Sequence, residues 1–204
     1  MLDPMTDTPP AAGPPASKSM TIPLVAFAAG AAIAVLIGVF GRVHDPSLDH
    51  TTSLGFHTVI QMKVVLTTVI GVLVLFQLFG ALVLYGKLPV HAPSWLGKAH
   101  RASGATALVL AVFVAYHCLW ALGLEYGHFS DGEKVGTRTV VHGVLGCAVF
   151  GAAAVKVAAV RAKRAPGWFL PVAGGLLFTL FVAAILTSAV WYYANYGLPD
   201  SNGY

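Results

Sequence analysis

The chain has 204 residues, 57% of them hydrophobic and only 10% charged, whereas a soluble domain carries about 25% charged and about 45–50% apolar residues. A bilayer core roughly 30 Å thick is crossed by about 20 apolar residues in a helix, and five such stretches use nearly all of these 204 residues, so no separate soluble domain is expected within them. The net charge of +4 does not mark a nucleic-acid partner, because Lys and Arg sit at the ends of the apolar stretches, as membrane topology requires.

Residues 1–20 (MLDPMTDTPPAAGPPASKSM) are rich in Pro, Ala, Ser and Thr without apolar periodicity, and are expected to form a disordered cytoplasmic tail. The first span is expected over about residues 22–40, as an uncleaved anchor rather than a signal peptide, since its flank has one lysine and two aspartates. A polar loop follows. The second span is expected over 64–85, preceded by an interfacial helical turn with His57, Gln61 and Lys63. A Pro-rich loop leads to the third span, about 102–124, and the loop EYGHFSDGEKVGTRT to the fourth, about 140–160. The basic turn RAKRAPG leads to the fifth, about 168–193, and residues 196–204 form a short outer tail. The fold class is therefore an all-α, polytopic five-helix membrane bundle over residues 21–195, expected as a multi-pass protein of the cytoplasmic membrane.

The distribution of Lys and Arg sets the orientation. One side collects Lys18, Lys87, Lys98, Arg101, Arg161, Lys163 and Arg164, and the other only Arg42, Lys134 and Arg138. The richer side is cytoplasmic, which places the N-terminus inside and the C-terminus outside. The outer side also carries Asp45, Asp49, Glu125, Asp131, Glu133 and Asp200.

Ionisable groups inside a membrane are costly, so each is a candidate functional residue. At 1.5 Å per residue from the inner edge, His117 rises about 24 Å up the third span and His142 about 28 Å up the fourth. Two imidazoles on consecutive antiparallel helices at one level can grip a metal or haem iron from both sides. Gly146, one turn below His142, leaves space for a flat macrocycle, or simply allows close helix packing. His100 lies about 26 Å below His117; it either holds a second, inner haem or sits among headgroups beside Arg101. His57 is a reserve ligand if the second helix is long or tilted. Lys156 is a snorkelling lysine or a propionate or quinone contact, and Lys63 and Arg138 lie where propionates would be paired. The two cysteines of the chain, Cys118 and Cys147, fall near the histidine pair. They are small core residues, a redox dithiol, or part of a His/Cys metal site. His44, His50 and His128 are expected in solvated loops.

The strings AHRASG, AYHCLWALG, VHGVLGCAVFGAAAVK and PGWFLPVAGGLLFTLFVAAILTSAVWYY resemble an uncharacterised family of small actinobacterial integral-membrane proteins, over roughly residues 55–195. A looser resemblance is to membrane b-type cytochromes of the ascorbate-reducing and ferric-reductase types. It implies haem b between His117 and His142, with His57 and His100 as further members of the set. The fifth span departs from that pattern, having no histidine, so the resemblance implies one haem near the outer face. The expected function is an electron-transfer subunit between a membrane donor such as a quinol and an outer-face acceptor such as a soluble cytochrome, working with protein partners. The alternatives are a cofactor-free structural or assembly subunit, and a thiol- or metal-handling membrane protein.

The orientation is directly measurable. Alkaline phosphatase fused after Tyr196 is expected to be active and a fusion before Thr21 inactive; the opposite pattern would invert the topology.

Overall fold

The computed structural model describes residues 19–47, 49–121, 123–124 and 136–199. The stretch 1–18, the loop residues Glu125, His128, Asp131, Glu133 and Lys134, and Asp200 lie outside them. The described chain is all-helical: α1 (Thr21–Val43), α2 (Val59–Leu84), α3 (Leu96–Leu119), α4 (Thr137–Arg161), α5 (Phe169–Ile185), a π-helical turn (Leu186–Val190) and α6 (Trp191–Tyr196). The last three run on as one rod, Phe169–Tyr196, giving five helices long and apolar enough to cross a membrane. With 23 to 28 residues each they reach about 35–42 Å, more than the hydrocarbon thickness.

Local sequence explains several ends. Thr58 caps α2, its hydroxyl accepting from the Gln61 N–H at 3.0 Å. The Gln61 side chain in turn accepts from the His57 N–H at 3.0 Å, a variant of the capping box. This fixes α2 several residues ahead of the apolar run, so Lys63 is helical while His57 stays outside and exposed. Likewise α3 starts at Leu96, making Lys98, His100 and Arg101 helical, and it ends at Leu119. Gly123, at φ +66°, turns the chain beyond it in a conformation costly for any other residue.

Large apolar side chains cover the outside of the bundle: Leu24, Val35, Leu36, Val72, Leu75 and Val109 are each more than 60% exposed. That surface would aggregate in water and suits acyl chains. The interior is built around α4, whose apolar window is 39% buried against 11–22% in the other helices. α4 packs on α1 and on α5, α2 packs on α3, and α2 also meets α5 and the π turn. Consecutive helices α3 and α4 do not pack extensively on each other.

Small residues allow the closest approaches. A Cβ on Gly30 of α1 would lie 2.7 Å from the Gly151 carbonyl oxygen and 2.5 Å from Val155 Cγ2. A Cβ on Gly151 would collide with the Gly30 carbonyl in return. Between α2 and α3 two glycines make slots for polar side chains: Gly80 faces His100 Nδ1, and Gly104 faces the Gln77 amide. The Gln77 amide nitrogen donates to the His100 carbonyl at 2.6 Å and to Ser103 Oγ at 2.7 Å. Two apolar clusters fill the core. One, Ala26, Val155, Ala159, Phe169 and Ala173, lies at the end carrying the α4–α5 turn. The other, Ile70, Val74, Ala111, Val149 and Phe181, joins four helices at mid-height. His44, expected in solvent, instead packs between Phe40 and Trp120, with ring centroids 5.1 and 4.2 Å away.

Because the atoms that a Gly30 side chain would meet include backbone, Gly30→Ala is expected to destabilise the detergent-solubilised protein by about 1–3 kcal/mol. Gly174→Ala, where a Cβ meets nothing within 4 Å, is the matched control. Equal melting temperatures for both variants would contradict the close α1–α4 contact.

Candidate functional site

Above the mid-height cluster, between α2, α3, α4 and the α5–α6 rod, lies a cavity of about 570 Å³, within the 300–1,000 Å³ common for small-molecule and cofactor sites. Its floor is Ile70, Ala111, Val149 and Phe181. It lies where α3 and α4 do not close on each other, at the end of the bundle that holds Leu119 of α3, Arg138 of α4 and Trp191 of α6. Most of its wall is apolar, and its polar groups include Lys63 from α2, Arg138 and His142 from α4, and Ser188 from the π turn.

The orientation of α4 follows from its contact with α1. Gly151 is nine residues from His142, which is half a turn of phase at 100° per residue. With Gly151 held against α1, His142 faces the cavity, as do Gly146 and Val149 on nearly the same line. Gly146 leaves the wall open: a Cβ there would have no atom within 4 Å.

The π turn supplies the partners of these α4 side chains. A π turn inserts one residue into the α-helical hydrogen-bond ladder, and such turns are frequent at functional sites. Here the Thr187 carbonyl accepts from Arg138 Nη1 at 2.8 Å. The guanidinium carbon sits 3.7 Å from the centroid of the Trp191 ring, a cation–π contact that holds the arginine along the cavity edge. His142 Nδ1 lies 3.1 Å from Thr187 Oγ1. Lys63 has no ion pair among the described residues, so this end of the cavity carries two cations without a carboxylate from them.

The structure thus brings Lys63, Arg138, His142, Gly146, Cys118 and Cys147 to one cavity. Both cysteines are free thiols. His117 is not among the lining residues. On α3 the cavity face is carried by Ala111, Val114, Ala115 and Cys118, and His117 lies about 100° from Cys118 around the helix. Equal depth does not give equal direction. His117 is 1% exposed and both its ring nitrogens are engaged. Nε2 accepts from the Thr52 N–H at 3.3 Å, which leaves the ring proton on Nδ1, 2.9 Å from the Phe113 carbonyl it donates to. The ring ties α3 to the α1–α2 connection.

The other sequence candidates also lie elsewhere. His57 is exposed ahead of α2. His100 packs against Gly80 toward the opposite end, with its Nδ1 buried and unpartnered, and Lys156 is a half-buried residue outside the cavity. Among the described residues no three of His, Cys, Asp and Glu cluster closely enough to hold a metal ion. Sequence reasoning missed Thr187, Ser188 and Trp191. The signal available was a Thr-Ser pair inside an otherwise apolar span, where each hydroxyl needs a partner.

His117→Ala removes an acceptor from the Thr52 N–H and opens a buried space, so a loss of about 1–3 kcal/mol is expected in thermal unfolding. An unchanged melting temperature would show that the ring does not anchor the connection.

No curated protein and no solved structure matches the chain. A family of unknown function, DUF6529, matches residues 21–200, from the first residue of α1 to beyond the end of α6. The chain belongs to that family.

Proposed function

We propose that this protein is a haem-b-binding electron-transfer subunit of a membrane complex, with the haem in the cavity between α2, α3, α4 and the α5–α6 rod. The observation that carries this reading is the joint placement of His142, Arg138 and Lys63 on one mostly apolar cavity. An imidazole is a usual axial ligand of haem iron, and two cations match the two propionates of the macrocycle. The fit rests on further features of the chain. The space beside Gly146 suits a flat ring, and Arg138 is held in place by the Thr187 carbonyl and Trp191. Most of the cavity wall is apolar, as suits the face of a macrocycle. Bound there, haem supplies a one-electron iron couple. The chain's own residues bind and orient it: His142 through its ring nitrogen, Arg138 and Lys63 through charge. The connections are too short to form a substrate domain, so the donor and acceptor are other molecules, a membrane quinol and a soluble outer-face cytochrome being the classes that suit an N-in, C-out protein of the cytoplasmic membrane.

A second reading is favoured by one observation, that Cys118 and Cys147 line the same cavity as free thiols. In a thiol-handling protein, Cys118→Ser would abolish activity and His142 would be dispensable.

The test is a dithionite-reduced absorption spectrum and a pyridine haemochrome assay on protein produced with haem supplied. Wild type is expected to show a Soret band, His142→Ala at least a tenfold lower haem content, and His57→Ala no change. A wild-type preparation without Soret absorption removes the haem reading.

A further inference from the structure

Thr187 stands behind His142, outside the cavity, and its surroundings determine which way the shared hydrogen bond runs. A threonine hydroxyl has one proton to donate and two lone pairs. Thr187 Oγ1 lies 3.0 Å from the Ala183 carbonyl and 3.0 Å from the Ala184 carbonyl, and carbonyls can only accept. If the hydroxyl proton goes to this carbonyl pair, Oγ1 faces His142 Nδ1, 3.1 Å away, with a lone pair, and the ring nitrogen must be the donor. The reverse arrangement spends the single hydroxyl proton on the ring and makes one bond where the first makes two. A neutral imidazole carrying its proton on Nδ1 has its lone pair on Nε2, and Nε2 makes no hydrogen bond among the described residues.

We infer that Thr187 is a positioning residue that holds His142 in the Nδ1–H tautomer and so presents Nε2 as an electron-pair donor to the cavity. This deepens the haem reading and rests on it only for the ligand. A hydrogen bond accepted from Nδ1–H orients the ring and raises the basicity of the ligating nitrogen, and loss of such a partner costs about 10–100-fold in metal affinity. The π turn makes this economical: the carbonyl of Thr187 holds Arg138 and its hydroxyl holds His142, so one residue places both the cation and the imidazole. Backbone and side chain play separate parts. A Thr187→Val substitution removes the hydroxyl at nearly constant shape and keeps the carbonyl that Arg138 uses.

The experiment has two arms. In the first, full-length protein with nitrogen-15-labelled histidine, free of haem, is examined by NMR, with His142 assigned by its loss in His142→Gln. Wild type and Thr187→Ser are expected to show a protonated Nδ1 and an unprotonated Nε2 for His142, and Thr187→Val to shift toward the Nε2–H tautomer. In the second, haem is titrated into the same three proteins. Thr187→Val is expected to bind 10–100-fold more weakly and with a raised midpoint potential, because a less basic imidazole stabilises ferric iron less. Thr187→Ser is expected within about twofold of wild type, on the same partner-preserving logic. A wild-type His142 protonated on Nε2, or a Thr187→Val protein with unchanged tautomer, overturns the inference. Failure of wild type to bind haem, with the tautomer shift present, would remove the haem reading and leave the positioning role of Thr187 standing.

Discussion

The bundle depends on the contact between Gly30 and Gly151, where the backbones of α1 and α4 approach so closely that neither position has room for a methyl group. In lipid there is no hydrophobic drive between apolar helices, so dispersion contacts between backbones brought together by small residues carry much of the association. That contact fixes more than the pairing of two helices. It sets the rotation of α4, and because His142 lies half a turn of phase from Gly151, it determines that the imidazole faces inward. A helix free to rotate would present the same ring to acyl chains, at the cost attached to an exposed polar group in hydrocarbon.

Two sets of helices result. α1, α4 and α5 pack in sequence around α4, while α2 and α3 form a hairpin held by the reciprocal slots of Gly80 for His100 and Gly104 for Gln77. The sets meet chiefly through α2 with the α5 rod and through the mid-height cluster around Val149 and Phe181. A hydroxyl pair at the cavity end, Thr68 with Tyr193 at 2.7 Å, adds to this seam. Where α3 and α4 fail to close, the seam becomes a cavity, and it does so beside the residues whose polarity is hardest to explain in an empty membrane protein.

The π turn is the local departure from regularity that makes the cavity end polar on purpose. In an unbroken α-helix the Thr187 carbonyl would be satisfied within the helix. The inserted residue re-aims that carbonyl toward Arg138 and places the hydroxyl behind His142. The guanidinium is thereby held over Trp191 rather than extended to the headgroups, and it contributes charge to the cavity instead of to the surface.

Much of the architecture was legible in the sequence. Five apolar stretches, their separation by polar and proline-bearing connections, and the all-helical class follow from the length of hydrocarbon to be crossed and from the need to satisfy every backbone group within a segment. The membership of Lys63, Arg138, His142 and Gly146 in one neighbourhood was also foreseeable from depth alone. What depth does not contain is azimuth. His117 and His142 stand at similar heights, yet on α3 the inward line runs through Ala111 and Cys118 and leaves His117 to bond Thr52 and Phe113. Nor did the sequence disclose Thr187, whose significance arises from a one-residue irregularity in the hydrogen-bond ladder. Helix existence is decided by each segment's own chemistry; helix rotation and ladder defects are decided by what neighbouring helices permit, and only the assembled bundle holds that information.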